Sequence, residues 1–192
     1  MFGESGTGKT LLAMQALLFA SRAGSGSFFL DTEGAFRPER LESMALARGW
    51  DPDALLKRIE YARAKSLGEQ VEAVRRMEER KETKSCRLVA IDTLTKNFSV
   101  ELPGEANLSS RQGALDAHLS EIARDAVLNR RAYVLTNRVT FGPTHDVGIG
   151  GATVEQLVGR SMRLDRSKDG VMATSTESEE QERLTIGGSG VE

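Results

Sequence analysis

Lys9, Thr10 and Asp92 are the residue types, in the settings, that handle a phosphate chain and a divalent cation. The stretch Gly3-Glu4-Ser5-Gly6-Thr7-Gly8-Lys9-Thr10 fits G-x-x-x-x-G-K-[ST] at every position. Its small residues let the backbone curl so that N–H groups face inward and cradle a β-phosphate. Lys9 sets a point charge on the β- and γ-phosphates, and Thr10 offers a hydroxyl to Mg²⁺. Further on, Leu88-Val89-Ala90-Ile91-Asp92 puts an acid after four apolar residues. Any buried strand can end this way, but downstream of a complete P-loop the acid reads as a group in the Mg²⁺ shell, reached through water. A second acidic tip, Asp31-Thr32-Glu33-Gly34, follows Phe28-Phe29-Leu30. Open α/β sheets place ligands beyond such strand ends.

These groups need a helix behind the loop and parallel strands beside it. Thr10 to Arg22 is rich in Leu and Ala, lacks Gly and Pro, and stops at Gly24, so its positive N-terminal end faces the phosphates. It is apolar almost all round, with Leu12, Gln15, Ala16, Phe19 and Ala20 on overlapping faces, as a helix packed on a sheet should be. Pro38 opens a helix that runs to about Arg48 and closes at Gly49; Asp51 and Asp53 open a shorter one. Ile59 to Arg63 alternates as a strand. Ser66-x-x-Glu69 reads as a capping box for a helix with Val71, Val74 and Met77 on one face and a mixed-charge solvated face from Arg75 to Glu82. Asn97 to Asn107 reads as a polar loop. Leu108 to about Asn129 reads as a long helix with Leu115, Leu119, Ile122 and Ala126 as its stripe. Ala132 to Asn137 is a further buried strand with a polar end. Arg138 to Gly151 reads as irregular, Val154 to Val158 as a short helix, and Ser161–Asp165, Val171–Ser175 and Arg183–Ile186 as short strands, with Lys168-Asp169-Gly170 as a hairpin turn.

With 192 residues, 39% hydrophobic and 28% charged, the sequence suits one soluble domain spanning 1–192. A net charge of −2 supplies no global basic field, so any nucleic-acid contact must be local. The single cysteine, Cys86, excludes a disulfide within the chain and points to a reducing cytoplasm. No run approaches eighteen apolar residues, and no membrane partner is expected. Two separated histidines offer no metal site: His118 on the long helix reads as a surface or interface residue, and His145 as a solvated loop residue.

The order of these segments resembles the RecA-type ATPase core. The wording is similar to the archaeal and eukaryotic RadA-like strand-exchange recombinases in Gly3 to Thr10, Asp31-Thr32-Glu33-Gly34-x-Phe36-Arg37-Pro38-Glu39-Arg40, Tyr61-Ala62-Arg63-Ala64, Ile91-Asp92-Thr93-Leu94-Thr95, Leu108-Ser109-x-Arg111-Gln112 and Thr136-Asn137-x-Val139. Within that group it looks most like the short archaeal RadB paralogues, through the brief loop Thr140 to Gly150, Glu155-Gln156-x-x-Gly159 and Arg163-Leu164-Asp165. The resemblance implies a RecA-type α/β fold with a mostly parallel central sheet flanked by helices and a short antiparallel C-terminal extension. It implies ATP and Mg²⁺ as cofactors, bound by Gly3 to Thr10 with Leu11, and Thr10 and Asp92 as the metal-facing pair. Glu33 becomes the carboxylate that activates water, beside Lys9; the alternative is that Glu33 caps the helix near Pro38. Asn137 becomes a γ-phosphate sensor, and Arg111 and Arg138 face DNA. The implied role is recombination and repair, as an ATPase with single-stranded DNA, another recombinase or repair protein, or further copies of itself as partners, or as a regulatory protein that uses ATP as a switching ligand.

The departures from that pattern are specific. Arg138 stands where the group usually has Gln, and either phosphate or DNA is within its chemistry. Glu101 and Glu105 occupy the first DNA loop, where carboxylates repel phosphates. The polar stretch Thr174 to Glu182 leaves the nucleotide pocket less enclosed. The strand expected before the P-loop is cut to Met1 and Phe2, which reads as a fragment, a misplaced start, or a slot that another segment fills.

Overall fold

The computed structural model describes residues 1–79, 85–140, 147–148, 154 and 157–192. Two sheets and the helices packed on them make a mixed α/β fold. The first sheet has four parallel strands: β2 (Gly26–Asp31), β3 (Ile59–Arg63), β4 (Cys86–Asp92) and β5 (Ala132–Leu135), in the order β3-β2-β4-β5. Helices join them: α1 (Lys9–Arg22) precedes β2, α2 (Pro38–Ala47) and α3 (Pro52–Leu56) precede β3, and α4 (Leu67–Glu79) precedes β4. Then α5 (Lys96–Glu101), a 3₁₀ turn (Glu105–Asn107) and α6 (Leu108–Asn129) lead into β5. Because helices cover both faces, the central strands β2 and β4 are apolar on both sides. Phe28, Leu30, Val89 and Ile91 face Val74, Met77, Leu115, Leu119 and Ile122. Phe29 and Ala90 face Ala13, Met14, Leu17, Leu18, Leu41 and Met44. Each fully buried Val, Leu, Ile, Phe or Met among them contributes roughly 1.5–3 kcal/mol.

The register matters for chemistry. Strand β2 pairs with β4 so that Asp31 lies opposite Asp92, and both carboxylates emerge at one edge of the sheet. Helix α1 buries Ala13, Met14, Leu17, Leu18 and Ser21, one step round from the face expected. Phe19 is exposed and meets Trp50 edge-on at 5.2 Å. Gln15 instead reads the C-terminal backbone: its amide donates to Val191 O at 2.9 Å and accepts from Val191 N–H at 2.8 Å.

Three local expectations change. The capping box closes one residue early: Ser66 Oγ accepts from Glu69 N–H at 3.1 Å, but the Glu69 carboxylate takes the Lys65 N–H at 2.7 Å. The expected polar loop from Asn97 holds α5, because Asn97 and Phe98 are buried beneath it. Asn97 is fixed there by donating to Ser66 O and Gln70 Oε1, each at 3.1 Å. His118 is buried rather than exposed, packed at 5.7 Å between ring centroids against Phe98. Helix α6 keeps the expected bounds. It is tied to β5 by the buried Arg131–Asp125 ion pair at 2.8 Å and by the Tyr133 hydroxyl donating to Asp125 at 2.6 Å.

The start of the chain joins this sheet to a second one. Strand β1 is only Phe2–Gly3; Asn137 N–H donates to Met1 O at 2.9 Å, and Phe2 bridges Asn137. After β5 come two short strands, β6 (Val139–Thr140) and β7 (Val147–Gly148), which pair antiparallel. Then β8 (Met162–Ser167) lies parallel to β1 and antiparallel to β9 (Gly170–Ser175), which pairs with β10 (Gln181–Leu184). Lys168 and Asp169 turn the β8–β9 hairpin as expected. Met1, Phe2 and Gly3 therefore hold the seam between β5 and β8. Among the described residues no other strand enters it, and a cavity of about 1000 Å³ opens there along Tyr133, Leu135, Ile122 and Met162. A last hairpin, β11 (Ile186–Gly187) with β12 (Gly190–Val191), returns to α1. The expected helix at 154–158 shows its Val158 N–H to Val154 O bond, at 3.1 Å; residues 155 and 156, like Arg80, Lys81, Glu82, His145 and Asp146, lie outside the described residues.

Candidate active site

The loop between β1 and α1 turns on glycines held where other residues are strained. Gly6 and Gly8 have φ of 78° and 83°, the left-handed region that glycine enters freely. A side chain at Gly8 would also meet Ile186 Cδ1 at 2.5 Å, because the last hairpin lies against the loop. Arg166 of β8 donates to Ser5 O at 2.9 Å on the same surface. The C-terminal strands thus touch the loop through Arg166 and Ile186.

Lys9 begins α1 and folds back over its own loop. Its Nζ donates to Gly3 O at 2.8 Å, Glu4 O at 2.5 Å and Thr7 Oγ1 at 3.3 Å. Burial pushes its ammonium below the usual lysine value, and the Asp92 carboxylate opposes that shift. Thr10 donates to Asp92 Oδ2 at 2.7 Å, while the Thr136 hydroxyl at the end of β5 donates to Asp92 Oδ1. Asp92 is almost fully buried; desolvation raises its pKa, partly offset by the two hydroxyls. A hydroxyl beside a carboxylate is the hard-oxygen donor set that suits Mg²⁺, whose shell is completed by water and phosphate oxygens. Among the described residues there is no cluster of three or more His, Cys, Asp or Glu. Thr10 and Asp92 are the residues that would hold such an ion.

Asp31 and Glu33 divide the work at the tip of β2. Asp31 shapes the turn: Oδ1 accepts from Glu33 N–H at 2.9 Å, Gly34 N–H at 2.6 Å and Ala35 N–H at 3.3 Å, and Oδ2 from Phe36 N–H at 3.2 Å. Arg63 pairs with Asp31 at 2.9 Å. Glu33 does not cap α2, which begins after Arg37 without a side-chain cap. Its Oε1 accepts from Thr93 Oγ1 at 3.1 Å and pairs with Arg138 Nη2 at 3.0 Å, and Lys96 Nζ lies 3.9 Å from Oε2. Lys96 is held by Thr32 O at 2.6 Å.

Ser5, Gly6, Gly8, Lys9, Thr10 and Leu11 line one cleft of about 450 Å³ with Glu33, Asp92 and Arg138. That volume lies within the ordinary range for small-molecule sites. Gly3, Glu4 and Thr7 hold Lys9 from behind. Asn137 lies off this cleft: its Oδ1 accepts from Thr95 Oγ1 at 2.5 Å and from Arg138 N–H at 3.0 Å, and it borders the seam cavity instead. Arg111 is distant too, donating to Leu102 O at 2.8 Å where α5 meets α6. Glu101 in the same region caps α4 by accepting from Leu67 N–H at 2.6 Å. Residue reasoning missed Thr93 and Thr136, hydroxyls just beyond the ends of β4 and β5, and Lys96, the amine that opens α5. It also gave no role to Arg37 and Arg40, which line the cleft as further cations.

The Rad51 family model matches residues 1–177. A curated relative described as DNA repair and recombination protein RadA, from Aeropyrum pernix, is 37% identical over 179 residues, covering 88% of this chain and 56% of the relative. The chain thus spans about half the length of that relative. With a complete P-loop, a paired Thr10–Asp92 and a parallel sheet between helices already in place, the chain belongs to the Rad51 family and carries a RecA/RadA-type recombinase core.

Proposed function

We propose that this chain is an ATPase of homologous recombination and DNA repair, binding Mg·ATP in the cleft between the P-loop and the tips of β2 and β4. One observation carries the reading: Lys9, Thr10, Asp92 and Glu33, drawn from three separate elements, line a single cleft of about 450 Å³. The inward loop and Lys9 bind the β- and γ-phosphates, and the α1 N-terminus adds its partial positive charge. Thr10 and Asp92 hold Mg²⁺, which when bound supplies charge neutralisation on the phosphate oxygens. Glu33 takes the proton of the attacking water. Catalysis of this kind is mostly positioning and electrostatics, and the tight hydrogen bonding around Lys9 and Asp92 suits that task.

The finer assignment within the family is a RadB-like accessory with slow turnover and single-stranded DNA as its ligand, working in the cytoplasm as a single domain over 1–192. The short loop after Thr140 and the Arg163-Leu164-Asp165 wording support it. Arg111 and Arg138 are the cations offered to DNA, with Asn137 relaying the nucleotide state. No described helix is long and apolar enough to cross a membrane. A second reading makes the chain a regulatory mediator that binds another recombinase or repair protein, or a further copy of itself, and uses ATP as a switch. Val100 and Leu108 favour it, since both are exposed around the acidic Glu105 turn, a surface better suited to protein than to phosphate.

Steady-state ATP turnover with and without single-stranded DNA, with Lys9→Ala as the blank, tests the proposal. Turnover that rises with DNA supports the DNA-linked ATPase. Turnover at the blank level under both conditions, with ATP still bound, moves the assignment to the mediator. Failure of the parent chain to bind ATP overturns both.

A further inference from the structure

Arg138, offered above to DNA, also touches the carboxylate proposed to activate water. Its Nη2 stands 3.0 Å from Glu33 Oε1, the same oxygen that accepts from Thr93 Oγ1 at 3.1 Å. A carboxylate oxygen holding two donors, one of them a guanidinium, is a poor acceptor for a water proton. The backbone under Arg138 is anchored: its N–H donates to Asn137 Oδ1 at 3.0 Å, and the next residues, Val139–Thr140, pair with Val147–Gly148. The side chain is 56% exposed, so its guanidinium is free to change partners while the backbone stays fixed. It lines the cleft alongside Lys9, Thr10 and Asp92. A terminal phosphate carries more charge than the single carboxylate oxygen Arg138 now meets and offers a matching pair of oxygens, so it competes for the guanidinium fork.

We propose that Arg138 exchanges partners between Glu33 and the γ-phosphate of ATP, so that the nucleotide itself unlocks the water-activating carboxylate. The idea rests on the ATPase reading of the cleft. In the resting cleft the Arg138–Glu33 pair keeps the carboxylate occupied. Binding of a nucleoside triphosphate draws Arg138 to the γ-phosphate and frees Glu33 Oε1. The water oxygen then bonds to the γ-phosphorus, and the bond from that phosphorus to the β,γ-bridging oxygen breaks. The electron pair leaves with ADP, and the water proton passes to Glu33, which returns it to solvent as phosphate departs. ADP lacks the γ-phosphate and leaves Arg138 on Glu33, which favours product release.

Affinities for Mg·ADP and for the Mg²⁺ complex of a non-hydrolysable β,γ-imido ATP analogue, measured by calorimetry, test the exchange. The proteins are the parent, Arg138→Gln, Glu33→Gln and the double variant. Arg138→Gln is expected to lose about tenfold in triphosphate affinity, the size of one charge-assisted hydrogen bond, and under about twofold for ADP. Glu33→Gln is expected to bind the triphosphate more tightly than the parent, because Arg138 no longer has to leave a partner. That gain is expected to vanish when Arg138→Gln is added. Arg138→Lys, which keeps the charge and loses the fork, is expected to fall between. Equal losses for both nucleotides in Arg138→Gln, or no loss for either, would overturn the exchange and leave the ATP site standing. Binding of neither nucleotide by the parent above the Lys9→Ala level would overturn the site itself and the exchange with it.

Discussion

Asp31 and Asp92 end neighbouring strands, face each other in register and are both almost wholly buried, yet their surroundings could hardly differ more. Asp31 is saturated by the backbone N–H groups of Glu33, Gly34, Ala35 and Phe36, by the Tyr61 hydroxyl at 3.3 Å and by Arg63 at 2.9 Å. Asp92 receives two threonine hydroxyls, and among the described residues no cation pairs with it directly, although Lys9 is near enough to feel its charge. A carboxylate whose lone pairs are all taken by its own turn is an architectural device. One left with neutral donors in a cleft retains capacity for a cation and for substrate oxygens. The contrast separates scaffold from chemistry at two positions that look alike in sequence.

Removing Asp31 should have the largest effect. Asp31→Ala orphans four N–H groups and strips Arg63 of its counter-ion, so unfolding free energy is expected to drop by about 3–5 kcal/mol. A urea midpoint close to the parent's would refute the scaffold assignment. The next effect comes from a buried group that neither network satisfies. His118 Nδ1 has no hydrogen-bond partner, and desolvation lowers its pKa from 6.5 to about 4. The unfolded chain then binds a proton from pH 6.5 downward while the folded chain refuses it until about pH 4. Stability is therefore complete above pH 6.5 and falls as pH drops through that window, by about 3 kcal/mol in all. His118→Gln should flatten this part of the stability–pH curve; an unchanged slope would mean the imidazole takes up its proton inside the fold.

His118 also shows how a buried position can be read from spacing. It lies on the same i, i+3, i+4, i+7 stripe as Leu115, Leu119 and Ile122, so its spacing alone marked it as buried. The P-loop, the acid-tipped strands and the bounds of α6 were legible because each depends on local pattern. The buried face of α1 was not, since a helix apolar all round has no periodic signal to point it. Nor was α5, whose polar residues Lys96 and Asn97 are ordered by partners about thirty to sixty residues earlier, Ser66, Gln70 and Thr32. In the cleft, Lys9 and Thr10 follow from spacing. The hydroxyls of Thr93 and Thr136, and the turn of Arg138 toward Glu33, depend on which strand ends meet, a long-range fact that no local motif encodes.

The third prediction sharpens the contrast from the other side. Asp92→Asn keeps a side chain of the same shape between Thr10 and Thr136 while removing the charge. Turnover is expected to fall by about 100-fold or more, because the cation-facing carboxylate is gone. Unfolding free energy should change by about 1 kcal/mol or less, in the stabilising direction, since burial disfavours the ionised carboxylate. The folded pKa of Asp92 is raised, so its ionisation withdraws stability as pH climbs through that value. The asparagine variant should lack this loss. A large destabilisation with turnover intact would make Asp92 a second Asp31.

The smallest effect isolates burial from hydrogen bonding. Asp51 does at the surface what Asp31 does inside: its Oδ1 accepts from Asp53 N–H at 3.1 Å and Ala54 N–H at 3.3 Å, capping α3. The donors are of the same kind, but here water can replace the lost acceptor. Asp51→Ala is therefore expected to cost about 1 kcal/mol, the ordinary value of an N-cap, read as a shift in the urea midpoint. If it cost as much as Asp31→Ala, the weight of Asp31 would lie in turn geometry alone. If it cost several-fold less, the excess at Asp31 measures what it takes to leave four N–H groups and a guanidinium without their acceptor beneath the nucleotide cleft.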